Sequence, residues 1–452
     1  MIHTEVLILG AGLAGLSTAH HLDRLGRKGR YLIVEKENAV GGRAGSMKRD
    51  GFIFDHTGHL LHLHDPYGKR LIMRLLRGNL ALHERSNWIY SHGAFTRYPF
   101  QANTYGLPVN VVAECVGGFV RSAYQCRRLG ADPSFQEWCL KTFGSGISKH
   151  FMFPYNRKLW RMRLSDMTTE WQGAFLPRPK ADEVLYGALN DQKKFFGYNA
   201  HFRYPVRGGC QVLPDALAAK VSNIRLGSPV QSVDLRERTA VVAGVGEVRY
   251  ERLVNTLPLV DFLDLASPLP AAVRSARSDL RYVSVYNLNI GIRRGGISDK
   301  HWVYFPGNRE VFYRAGFTSN FSPHLAPRKT TSMYIEVARR PGSRVNLDRL
   351  ERQCLDGLRG CGILRGADKL AARLWIPIPC AYVVYDRRRT AALGRIFPHL
   401  AARGVASIGR WGGWKYSFME EAVMDGLRCA QRLLGRRVKG DMSMDRPLVA
   451  LK

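Results

Sequence analysis

No apolar run in the 452 residues approaches the roughly 18 needed to span a bilayer, which excludes a transmembrane helix as an expectation. The chain opens directly into a strand-like segment without the charged and apolar regions of a secretory leader, so a cytoplasmic protein is expected. Eight cysteines, at 115, 126, 139, 210, 354, 361, 380 and 429, include no CxxC pair, which argues against both a disulfide framework and a zinc site. No structural metal is expected. Acids are also scarce: 37 stand against 68 lysines and arginines, a formal charge of +31. Such a surface attracts polyanions, anionic lipid headgroups or phosphorylated substrates, and peripheral contact with an anionic membrane is compatible with it. The excess is spread along the chain with no basic tail or nucleic-acid module, so no specific nucleic-acid binding is expected.

What is present is concentrated at the N-terminus. Val6-Leu7-Ile8-Leu9 reads as a buried parallel strand, and Gly10-Ala11-Gly12-Leu13-Ala14-Gly15 follows it. Gly10 permits the tight turn, Gly12 lets backbone approach a pyrophosphate, and Gly15 lets the next helix pack on the strand, its dipole facing the phosphates. A second strand, Tyr31-Leu32-Ile33-Val34, ends at Glu35, whose carboxylate suits ribose hydroxyls and would repel a 2′-phosphate. Beyond it, Gly41-Gly42-Arg43-Ala44-Gly45 offers a second cationic turn for the same pyrophosphate. The order strand, triplet, helix, strand and acid predicts a dinucleotide-binding α/β unit.

These two turns together resemble the opening of the FAD-containing amine oxidase clan, which includes protoporphyrinogen oxidases, carotenoid desaturases and UDP-galactopyranose mutases. The resemblance implies FAD as cofactor and a Rossmann-like FAD-binding domain of the GR2 type with an inserted mixed α+β substrate lobe. The expected division is a discontinuous FAD-binding domain of residues 1–81, 202–260 and 393–440, a substrate lobe of 82–201 and 261–392, and a tail of 441–452. Val405 to Ala422 repeats the clan's strand, Gly409-Arg410, glycine loop and helix, implying that Gly409 and Arg410 approach the cofactor phosphates. Unpaired amides near Phe418 and Met419 would then stabilise electron density on the reduced ring. Val230 falls where the clan places a valine beside the adenine edge.

Within the clan the mutases are the nearest in pattern. Four histidines lie between His56 and His64 without an accompanying carboxylate or cysteine cluster, so a metal is not the expected reading. Gly58, His59 and His62 match instead a mutase loop lying against the flavin ring. Tyr155 and Trp160, in Pro154-Tyr155-Asn156-Arg157-Lys158-Leu159-Trp160, match residues lining a nucleotide pocket, as an exposed aromatic can stack on a uracil. Arg314 matches an arginine facing flavin and sugar, and Tyr382 a tyrosine clamping the diphosphate. With Arg410 and Tyr416 they supply the cations and hydroxyls a diphosphate needs. The resemblance thus implies a flavoenzyme using reduced flavin N5 on a nucleotide-sugar substrate, with Arg314, His62, Tyr382 and Tyr416 as candidate catalytic residues. Two departures favour the redox branch: Phe418 stands where mutases carry aspartate, and Arg43 where they carry asparagine. The alternative is an oxidase, dehydrogenase or desaturase taking a hydride from an amine, polyene, porphyrinogen or lipid-like substrate. Helices are expected over 110–129, 134–143 and from Met419 to a stop at Gly435, and short antiparallel strands over 221–242.

Overall fold

The computed structural model describes residues 1–125, 129–172, 176–194, 196–197 and 200–436. Cys126, the end of the helix expected over 110–129 and the tail 441–452 lie outside the described residues. Two large sheets organise the rest. The first has eight strands; its centre is Ile2–Leu9 flanked in parallel by Tyr31–Val34 and Gly246–Asn255, with Val405–Ser407 parallel to the latter. Each central strand is apolar and buried over its last residues, as a sheet covered on both faces requires. Leu13–Arg24 covers it and packs along the closing helix Met419–Leu433, where the Ser17 hydroxyl donates to the Val423 carbonyl at 2.6 Å.

The second sheet has seven strands in the spatial order Leu370–Val383, Tyr282–Ile292, Thr331–Arg339, Arg314–Phe317, Trp302–Tyr304, Asn87–Ser91 and Ala94–Arg97. Its two faces differ. One carries Leu288, Ile290, Val303, Ile335 and Val337 into an apolar core. The other presents Asn287, Asn289, Tyr304, Arg314, Tyr334 and Glu336, because alternate residues of a strand point to opposite sides.

Several elements differ from the sequence reading in instructive ways. The helix expected over 134–143 spans Phe135–Ile147, opened by a Ser134/Glu137 capping box and interrupted at Gly144, whose φ of 75° is not helical. It continues as a π-helical turn, Ser148–Met152, into Phe153–Trp160, where Pro154 is tolerated because it occupies the first turn. Of the antiparallel strands expected over 221–242, Val230–Asp234 and Thr239–Val242 pair so, whereas Ile224–Arg225 runs parallel to Tyr31–Val34. Of the helix expected over 110–129, the described residues form Val109–Tyr124. Among the described residues no helix is long and apolar enough to cross a membrane, and no group of three or more His, Cys, Asp or Glu could hold a metal ion.

Candidate functional site

The N-terminal turn has the space its sequence implies. Gly10 adopts a φ of +100°, and a Cβ there would come within 2.5 Å of the Thr256 hydroxyl. A Cβ on Gly15 would lie 2.1 Å from the Gly10 carbonyl oxygen, so only glycine allows the helix to sit this close to the strand. Gly12 is different: its φ is −75°, and an added Cβ would meet no protein atom within 4 Å. The open space in front of Gly12 is the cradle a phosphate would fill, facing the uncapped start of Leu13–Arg24.

Glu35 is 7% exposed, and its two oxygens accept backbone N–H bonds from Ala11 at 2.8 Å and Glu37 at 3.0 Å. Each oxygen keeps a further lone pair for a ribose hydroxyl. Val230 starts its strand close by, since the Ser228 amide donates to the Glu35 carbonyl at 2.7 Å. Gly42 and Arg43 form a single 3-10 turn over Gly12, where the Gly41 amide bonds the Ala11 carbonyl at 2.9 Å. The Arg43 guanidinium has no acid within ion-pair distance among the described residues, and burial lowers its pKa despite Glu37 and Asp261 nearby. A half-buried cation with no acid within ion-pair distance, beside an open glycine cradle, fits a pyrophosphate. The residues present therefore fit a dinucleotide cofactor.

Next to this cradle lies a cluster of charged and aromatic side chains, the candidate substrate chamber. His59 stands at the junction: burial, then His56, Arg410, Arg314 and Arg43, push its pKa down to about 3, so the imidazole is neutral at physiological pH. The Arg410 guanidinium lies 5.2 Å from the Tyr382 ring, 4.9 Å from Tyr416 and 5.6 Å from Trp411, and donates to the Ser417 carbonyl. It has no acid partner among the described residues. Tyr382 and Tyr416 stack at 6.5 Å, and burial raises the Tyr416 phenol to about 12. Arg314 is neutralised: it forms a two-pronged ion pair with the fully buried Glu336, at 2.5 and 2.7 Å across adjacent antiparallel strands. Tyr155 packs edge-on to Tyr304 at 5.4 Å and Tyr313 at 6.3 Å, with its phenol held protonated by burial.

The structure thus brings His59, Tyr155, Arg314, Tyr382, Arg410 and Tyr416 to one chamber. Gly58 permits this approach, since a Cβ on it would fall 2.2 Å from the Tyr334 hydroxyl, and Gly316 makes the same allowance on the ring's other side. Gly409, with a φ of +79°, brings the turn before Arg410 against Ala14. Phe418 and the buried Met419 start the closing helix, whose first amides lack intrahelical acceptors. That start is tied to the histidine loop by Glu420, which accepts the His64 amide at 2.8 Å and the Asp65 amide at 3.1 Å.

Two expected residues sit elsewhere. His62 turns to the His201 carbonyl at 3.3 Å and toward Arg85, at the rim, and burial lowers its pKa to about 4. Trp160 corrects the expectation of an exposed stacking surface: it is 2% exposed, packed edge-on to Trp171 at 5.0 Å and Tyr382 at 5.9 Å, with its N–H given to Asn156. It backs the chamber wall. Sequence reasoning missed Glu336, Tyr334 and Tyr304. The signal was there in Tyr334 and Glu336, polar residues two apart in an otherwise apolar strand, but their partners are set by strand pairing.

A family model for flavin containing amine oxidoreductases matches residues 13–434. Among solved structures, a reduced UDP-galactopyranose mutase is similar with a TM-score of 0.90 at 27% identity, covering 96% of each chain. A protein described as a protoporphyrinogen oxidase from Exiguobacterium sp. 255-15 has a TM-score of 0.72 at 15% identity over 96% of this chain and 99% of that one, a likeness of fold. A phytoene dehydrogenase of Streptomyces griseus is 45% identical over 61 residues, 14% of this chain and 12% of that enzyme. A 15-cis-phytoene desaturase of Capsicum annuum is 36% identical over 84 residues, 19% of this chain and 13% of that one. The chain thus matches only a small part of the length of these curated relatives.

Proposed function

This chain belongs to the flavin-containing amine oxidoreductase family and is an FAD-dependent flavoenzyme, and from that premise we propose that it acts on a nucleotide diphosphate sugar in the manner of a UDP-galactopyranose mutase. The observation that carries the reading is Arg410, a cation without an acid partner laid across the stacked rings of Tyr382 and Tyr416. Such a wall offers charge and hydroxyls to an anion, whereas a polyene would call for an apolar tunnel. Similarity to the mutase over 96% of both chains supports it.

Bound and reduced, the flavin supplies the electron-rich N5 that such an isomerisation uses. The protein's part is to hold the leaving diphosphate. Arg410 provides the uncompensated charge, while Arg314, already paired with Glu336, provides direction more than net charge. Tyr416 and Tyr155, kept protonated by burial, donate hydrogen bonds to phosphate oxygens. His59, kept neutral, adds no competing charge at the sugar end.

A redox reading draws on Phe418 at the helix start and on the phytoene-acting relatives. The test is to reduce the purified holoprotein and titrate it with UDP and UDP-galactose, following the flavin spectrum. Expected is micromolar binding, roughly 8 kcal/mol, weakened about tenfold or more by Arg410→Ala. An absence of binding to reduced enzyme, together with flavin reduction by an amine or polyene, would replace this reading by the redox one.

A further inference from the structure

Lys158 has no part in the chemistry proposed above, yet it is buried with its ammonium among backbone carbonyls and no carboxylate within ion-pair distance among the described residues. It lies on Phe153–Trp160, is 8% exposed, and its ammonium meets four backbone carbonyls: Phe305 at 2.8 Å, Glu310 at 2.8 Å, Phe312 at 3.1 Å, and Gly307. An ammonium has three N–H donors, so four oxygens share them. That is the arrangement of a cation in a coordination shell rather than of a lysine in ordinary hydrogen bonds. All four carbonyls come from one loop, 305–312, which joins Trp302–Tyr304 to Arg314–Phe317. Carbonyl dipoles converging in a buried space repel one another unless a positive charge stands among them.

The loop's two ends carry Tyr304 and Tyr313, the rings against which Tyr155 packs, and Tyr155 is one helical turn before Lys158. We infer that Lys158 is a positioning residue whose ammonium occupies a four-carbonyl cage for a monovalent cation, and that this cage sets the spacing of the Tyr155, Tyr304 and Tyr313 wall. The chamber's role as a ligand site rests on the function proposed above; the cage itself does not. The charged groups facing the ammonium are Glu310, which favours its charge, and Arg161, which opposes it; burial, the larger influence, brings its pKa to about 8.

The test is Lys158→Ala in the FAD-loaded protein, followed by near-ultraviolet circular dichroism and UDP titration, with ethylammonium, potassium or tetramethylammonium added at equal ionic strength. Expected are a retained flavin spectrum, a diminished tyrosine signal, and UDP binding weakened about tenfold. Ethylammonium or potassium should restore the tyrosine signal, and tetramethylammonium, too large and without N–H groups, should not. A variant indistinguishable from the parent, or equal response to all three cations, would overturn the cage. If the parent binds no UDP, the tyrosine signal and its rescue still read the cage while the proposed function fails. If the alanine variant does not fold, acylation of the native holoprotein at about pH 9, where surface lysines are also partly deprotonated, followed by mass spectrometry decides: Lys158 should react far more slowly than the exposed lysines, and reaction at their rate would refute the inference.

Discussion

At the residue scale, the two glycines three positions apart in the N-terminal turn answer to different masters, and alanine separates them. At Gly15 a methyl group would collide with the Gly10 carbonyl at 2.1 Å, so Gly15→Ala must push the helix off the strand. At Gly12 the same methyl meets no protein atom within 4 Å and the backbone is in an ordinary extended region. No protein atom in the described fold requires glycine there, so the expected reason is the approach of the cofactor. Gly12→Ala should therefore leave the apoprotein's stability within about 0.5 kcal/mol of the parent while lowering FAD content. Gly15→Ala should lower both, and thermal unfolding of apoprotein beside flavin absorbance distinguishes the two. The turn at Gly10 and the close packing at Gly15 were legible in the sequence because strand, turn and helix are contiguous. The burial of Trp160 was not, since its partners Trp171 and Tyr382 come from separate segments and no local pattern distinguishes a wall from a stacking surface.

At the scale of elements, the closing helix shows how a site is fixed by contacts distant in sequence. Its existence, from Met419 to a stop at Gly435, is written in its periodicity and in the positive φ of that glycine, 65°. Its attachment is not. Glu420 is 3% exposed and receives the amides of His64 and Asp65, some 355 residues earlier, which fixes the helix start against the histidine loop. Glu420→Ala removes the carboxylate acceptor of two partly buried N–H groups, a loss of about 1–3 kcal/mol, whereas Glu420→Gln keeps one acceptor oxygen and should lose less. Urea midpoints of the two variants check the order; midpoints equal to the parent's would mean the carboxylate is dispensable as a strut. The Arg314–Glu336 pair has the same character: the register of its two strands, which sets the pair face to face, depends on the whole sheet.

At the scale of the molecule, the histidines and the charge of +31 act together on acid stability. Burial holds His21 at about 4, His59 at about 3, and His62 and His301 at about 4. A folded pKa below the unfolded value of about 6.5 means the unfolded chain binds more protons between the two, so stability is full above pH 6.5 and falls as the pH drops toward 4. Glu420 works in the opposite sense over a narrower window, because burial raises it from 4.5 to about 6 and protonation then relieves a cost. Asp261, Asp386 and Asp425 are raised by burial in the same way, but His20, His56 and His83 join the histidines held down, and the balance is a net loss on acidification. His21 is the clearest member: it is 1% exposed, and its ring nitrogens face the Ser17 carbonyl at 2.6 Å and the Tyr67 hydroxyl at 2.8 Å, so its share is about 3 kcal/mol. Protonating acids and histidines also enlarges an already large positive charge, and that self-repulsion is screened by salt, whereas a buried imidazole is not. Melting temperatures recorded between pH 7.5 and 4 at low and high salt should therefore show a steep acid limb of which salt removes only part. His21→Gln, which keeps a hydrogen-bonding group but cannot ionise, should flatten the part that salt leaves; a limb abolished by salt alone would assign the acid sensitivity to surface charge instead.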